Sequence, residues 1–292
     1  MSPLQRKNWI SIDSRIILGC VFAFGIFIIG CKSSDKNSTL GNKGEHYSLL
    51  QGYWLSKDYI KLIKKNKSPL YAYDGFFKNL PSIVELDIDT SNTHSDTLLA
   101  GANINNHEGG QFAILLPEDK EEGFIIDKNL NDTGDVLKEG RILIKAEKNE
   151  PTLYICDVDS NGRITNKWGY TRINKPLDAK DDFSALNYFV RKELFDGKYR
   201  LNNQIITFYA DGRLDFPQIH QKYYEVLTDM CCPTISADVL MFENAPGKIS
   251  KNCLGFKLKQ DSLLIYDLIE DTTISTYTGY GHLKYSLVKV KN

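Results

Sequence analysis

Leu50-Gln51-Gly52-Tyr53-Trp54-Leu55 ("LQGYWL") and, far downstream, Phe195-Asp196-Gly197-Lys198-Tyr199-Arg200-Leu201 ("FDGKYRL") share one pattern: an apolar residue, a glycine, an aromatic two positions on, and leucine soon after. Each opens a long series of short strand candidates. After the first, Ser56 can cap a helix with Asp58 in its first turn and Tyr59, Ile60 and Ile63 on its apolar face, and Pro69 comes just past its end. The segments 82–89, 97–104, 110–116, 123–127, 141–146, 151–157 and 164–173 then alternate in apolar and polar residues between turn signals, with no long helical period. Lys175 to Asp182 is polar, contains Pro176 and reads as a boundary. Beyond it, Leu186, Phe189, Val190 and Leu194 fall at helical spacing behind Ser184. The second glycine motif follows, and after it strands are expected at 204–209, 213–217, 221–228, 235–243, 253–259, 262–269 and 280–290. Asp211-Gly212 and Asn161-Gly162 are hairpin signals. The expected fold is all-β: two tandem antiparallel β-barrels over residues 46–176 and 183–292, each with a short helix near its start.

Gly52-Tyr53-Trp54 resembles the Gly-x-Trp signature of lipocalins and related calycins, and Gly197-Lys198-Tyr199 is a degraded copy of it. The resemblance implies that Trp54, and Tyr199 in its place in the second half, close one end of a barrel under a basic residue from the last strand. Arg172 and Lys284 stand where such residues are expected. An indole or phenol face holds a cation by about 0.5–2 kcal/mol, depending on exposure. With the doubled pattern, the chain resembles two-domain, lipocalin-like bacterial lipoproteins. It departs from them in the helix directly after the first strand and in the missing second Trp. An eight-stranded barrel either fills its interior with side chains or holds one small ligand.

The N-terminus bears on location. Arg6, Lys7 and Arg15 precede an uncharged run from Ile16 to Gly30, which stops at Cys31 and gives way to a polar stretch up to residue 45. Fifteen residues suit a cleaved export signal better than a helix that spans a bilayer, which needs roughly 20. Ile28-Ile29-Gly30-Cys31 resembles the lipobox of bacterial lipoproteins. That resemblance implies removal of residues 1–30, acylation of Cys31 with chains such as palmitate, and a flexible tether over 31–45. Lys32, not Asp, follows the cysteine, which implies the outer membrane as destination.

Residues 1–30 hold three of the 36 basic and one of the 37 acidic residues, so the mature chain is left at about −3. That balance offers no basic face for nucleic acid. Of six cysteines, Cys156, Cys231, Cys232 and Cys253 remain after the leader and the lipidated Cys31. An oxidising envelope favours a Cys232–Cys253 disulfide, although Cys231 competes for the same partner and buried thiols are the alternative.

No nucleophile elbow, P-loop or dinucleotide fingerprint is present, and no cofactor is implied. His107-Glu108-Gly109-Gly110-Gln111 lacks the second histidine of a zinc-protease helix. Asp157 to Gly162 matches the first half of a calcium loop, but its twelfth position is Trp168, so a hairpin turn is expected and no metal site is assigned. Tyr277, Tyr280 and Tyr285 with Phe208, Tyr223 and Tyr224 either line a pocket or form core. The expected role is a membrane-anchored binding or envelope-structural module for a small apolar ligand, a peptide or an envelope protein. The alternative is a hydrolase acting on a lipid or glycan at a barrel mouth.

Overall fold

The strands that follow the first glycine motif close on themselves. In the computed structural model, which describes residues 47–76, 83–94, 97–104, 108–115, 123–131, 140–147, 150–174, 185–228, 235–245, 252–273 and 276–291, the order begins with β1 (Gly52–Ser56), α1 (Lys57–Asn66) and α2 (Pro69–Phe76). β2 (Ile83–His94), β3 (Thr97–Ile104), β4 (Glu108–Leu115), β5 (Phe124–Asn131), β6 (Gly140–Glu147), β7 (Glu150–Val158) and β8 (Ile164–Ile173) complete a closed antiparallel barrel in which each strand pairs with the next and β8 returns to β1. The second series is α3 (Ala185–Leu194), β9 (Gly197–Leu201), β10 (Gln204–Phe208), β11 (Leu214–Asp215), β12 (Tyr223–Val226), β13 (Val239–Glu243), β14 (Asn252–Lys259), β15 (Ser262–Asp271) and β16 (Thr276–Lys289). Its eight strands form one sheet in the order 11-10-9-16-15-14-13-12. This is the same meander with first and last strands paired, opened between its third and fourth strands. Those two edges are tied by one antiparallel bridge, Arg213 to Tyr223, with Leu214 N–H donating to the Lys222 carbonyl (2.8 Å) and Tyr224 N–H to the Gly212 carbonyl (2.8 Å).

Alternation explains the first barrel's interior. Leu86 and Ile88 on β2, Leu98, Ala100 and Ala102 on β3, Phe112 and Ile114 on β4, Phe124 and Ile126 on β5, Ile142 on β6, and Leu153 and Ile155 on β7 form one buried cluster with Trp54 and Tyr170. Across the sheet from Trp54 the paired positions run Leu86, Ala102 and Gly110, so side-chain size falls along the row that faces the largest ring. A turn at residues 47–50 adds Tyr47 and Leu50 to the same cluster; the Tyr47 hydroxyl donates to the Ile114 carbonyl (3.3 Å) and its ring stacks on Phe124 (5.9 Å).

The second core does not stop at the second sheet. Tyr199, Phe208, Tyr224, Phe242 and Phe256 cluster with Leu186, Val190, Leu194 and Phe195 of α3 and its end, and the same cluster takes in Leu55, Tyr59, Ile63, Ala72 and Val84 from the first half. Phe195 sits at the centre, 4.9 Å from the Phe256 ring and 5.9 Å from Tyr224. All described residues lie in one compact unit. The expected leader and tether with Cys31, the expected boundary at 175–182, Ser184, Cys231, Cys232 and His107 lie outside the described residues.

Candidate functional site

Both glycine motifs build the same arrangement. Gly52 and Gly197 take φ of 120° and 133°, a region open to glycine and strained for other residues. Two residues on, Trp54 and Tyr199 are fully buried. Trp54 pairs with Arg172 across β1 and β8, and the guanidinium carbon lies 4.7 Å from its ring centroid. Tyr199 pairs with Lys289 across β9 and β16, and the ammonium lies 5.7 Å from its ring. Each ring also donates to a backbone carbonyl just upstream: Trp54 Nε1 to Leu50 (2.7 Å) and the Tyr199 hydroxyl to Leu194 (3.4 Å). Arg172 Nη2 donates to the Leu49 carbonyl (2.6 Å), whereas its buried Nε has no hydrogen-bond partner among the described residues, and burial holds the guanidinium below its ordinary pKa.

Lys284 is not the cation over Tyr199; it pairs with Asp267 at 3.1 Å, both side chains well exposed. Lys289 holds the place because β16 is fourteen residues long and shifts register three times against β15. Cys253, on β14, is partly buried and its thiol is hydrogen-bonded with Tyr277.

Asp157 to Gly162 forms the β7–β8 turn. Asp159 Oδ1 accepts the backbone N–H groups of Asn161 and Arg163, each at 2.9 Å, and Asp157 Oδ2 accepts from Asn166 Nδ2 (3.1 Å). These carboxylate oxygens are engaged in holding the turn. Glu108 to Gln111 runs in strand β4. Among the aromatics, Phe208 and Tyr224 are core, Tyr285 packs against that core, and Tyr280 stands over Lys257 (4.0 Å).

A cleft of about 400 Å³ is lined by residues of both halves. Ile60 and Lys64 of α1 form one wall, Thr171 to Asn174 at the end of β8 another, and Tyr188, Phe189, Lys192 and Glu193 of α3 the third, with Glu150 of β7 at the rim. Glu193 receives Lys64 and Lys67 from α1, each at 3.5 Å, and these exposed pairs are worth about 0.2–1 kcal/mol each. Apolar faces from Ile60, Ile173 and Phe189 alternate with charges of both signs. Such a lining suits an amphipathic ligand.

The walls are held from both sides. In α3, Arg191 is fully buried with Nε donating to the Ala210 carbonyl (3.0 Å), and Asn187 bonds Glu225 (2.7 Å) and Thr228 (2.8 Å), which fixes the helix to the second sheet. Its N-terminus is held by the first barrel: Glu85 Oε1 accepts Ala185 N–H at 2.7 Å. Desolvation pushes the Glu85 carboxyl up to about 7, against the lowering effect of the backbone donors at Ala185 and Leu186. Asp238, ahead of β13, does the converse for α2, accepting Leu70 N–H at 2.9 Å, and desolvation pushes it up to about 6. Neither carboxylate is legible from sequence spacing, because each acts on a helix a hundred residues or more away.

No protein-family model, no curated protein and no solved structure matches this chain.

Proposed function

We propose that the chain is a lipid-anchored binding module of the cell envelope, lipocalin-like in its barrels, which engages a peptide or an envelope protein through its outer surface and the cleft between its halves. The observation that carries this reading is the packing of the first barrel. Among the described residues its inward side chains form one continuous buried cluster around Trp54, Phe112 and Tyr170, and a cleft of about 400 Å³ is lined by α1, the end of β8 and α3. An eight-stranded barrel holds a ligand only where its side chains leave room. The cleft presents Phe189 and Ile173 beside Lys64, Lys192, Glu150 and Glu193, which matches a polypeptide segment carrying apolar and charged groups better than a purely apolar molecule. The uncharged run that ends at Cys31 supports the anchor, and Lys32 supports the outer membrane as its site.

A photoreactive amino acid placed at Phe189 of the full-length chain, irradiated in cells, tests the partner. A discrete crosslinked protein that disappears in a Glu193→Lys variant is expected. Stoichiometric recovery of an apolar small molecule with the purified chain, and no crosslinked protein, would overturn the reading in favour of ligand carriage. Fatty-acid labelling is expected in the wild type and not in Cys31→Ala.

A further inference from the structure

Two carboxyl groups cross the junction in opposite directions. Glu85 leaves the first barrel to meet the start of α3, a helix that Arg191 and Asn187 fasten to the second half, and Asp238 leaves the second sheet to meet the start of α2, a helix of the first half. Both are nearly inaccessible, at 5% and 4% exposure. Helix N-termini attract negative charge, yet each of these acids sits where water is excluded, and Glu85 Oε2 has no hydrogen bond of ordinary geometry among the described residues. We propose that Glu85 and Asp238 are a reciprocal pair of latches across the junction, whose protonation sets how firmly the two halves hold each other's helices.

The surroundings of each latch are asymmetric. Around Glu85 stand the Ala185 and Leu186 N–H groups of α3, Asn103 of β3, Asp87 on its own strand and Tyr53 of β1; no cation is among the described residues that act on it. Around Asp238 stand Ser68 and the Leu70 N–H at the start of α2, Lys257 of β14, and the Tyr280 hydroxyl of β16, which accepts Asp238 N–H at 2.9 Å, with Tyr71 of α2 beyond it. The direction follows from linkage. A carboxyl whose pKa is raised in the closed junction binds its proton more tightly there than in water, so protonation stabilises the closed form. That contribution is complete below the ordinary values of 4.5 and 3.8, and is lost as pH rises through about 6 for Asp238 and about 7 for Glu85. The latches are therefore tightest in mild acid and loosest above neutrality. Because α3 forms a wall of the cleft, its hold on the first barrel also governs that wall, but the latch itself does not depend on what the cleft binds.

Amide hydrogen exchange on the full-length chain in detergent, at about pH 5.5 and about pH 8, tests this with protection factors corrected for intrinsic exchange. The peptide covering the start of α3 is expected to lose protection by roughly tenfold or more at the higher pH, and that covering the start of α2 by roughly fourfold. Glu85→Gln, a neutral isostere, is expected to abolish that pH dependence at α3 and leave it at α2. Asp238→Asn is expected to do the reverse. Equal protection at both pH values in the wild type, or an unchanged pH profile in both variants, overturns the proposal. Should Glu85→Gln fail to show a native far-ultraviolet spectrum at the lower pH, Asp238→Asn carries the test alone at α2.

Discussion

At Gly52 the nearest atoms to an added Cβ belong to the Arg172 side chain, 3.8 Å away, so there is room for a methyl group and the objection to one lies in the backbone. Gly197 is similar, with Lys289 Cε at 3.4 Å. With φ of 120° and 133°, Gly52→Ala and Gly197→Ala are each expected to lower stability by about 1–3 kcal/mol, checked by urea denaturation of the single variants. These glycines and their aromatics were legible in the sequence because the pattern is local: a bend, then an inward ring two residues on. The cation above each ring was only half legible. Arg172 is reached by a strand without register shifts against β1, whereas the cation opposite Tyr199 depends on how many residues the bulges of β16 absorb, and no spacing rule supplies that number.

The helices divide in the same way. α1 begins where its local signals say, with Ser56 Oγ accepting Tyr59 N–H (3.5 Å) and Asp58 in the first turn, and it ends at Lys67, whose φ of 54° places it in the left-handed region as the C-cap. Pro69 reads as a stop for that helix, and it is also the first residue of α2, with Ser68 Oγ accepting Tyr71 N–H at 3.1 Å. Serine followed by proline is a legible start signal, since proline lacks the N–H that a first turn leaves unused. The stop for one helix hid the start of the next. Ile63 faces away from Lys64 and Lys65 into the core shared with the second sheet. Ile63→Ala is expected to cost about 2–5 kcal/mol, while Lys65→Ala on the exposed side stays within about 0.5 kcal/mol, both read from the midpoint of chemical denaturation.

For the whole molecule, the doubled series of strands suggests two bodies, and the packing joins them. Leu55, Tyr59, Ile63, Ala72 and Val84 are inaccessible to solvent because they lie against the core built by the second sheet and α3. Separating the halves uncovers these side chains, at about 1.5–3 kcal/mol for each large one. The full chain is therefore expected to unfold in a single transition by fluorescence and circular dichroism alike. Fragments 46–176 and 183–292 made separately are expected to be markedly less stable than the intact chain; two fragments with sharp transitions at the midpoint of the intact chain would show that the shared core contributes nothing. The sequence by itself determined the all-β class, most strand positions, the helices after β1 and before β9, and the paired glycine motifs, because alternation, caps and turns act over a few residues. Only the tertiary structure decided that the inward side chains of the first barrel gather in one buried cluster around Trp54, that Lys289 covers Tyr199, and that Glu85 and Asp238 hold helices across the junction. Those outcomes rest on which distant surfaces exclude water from one another, and no short window of sequence contains both partners.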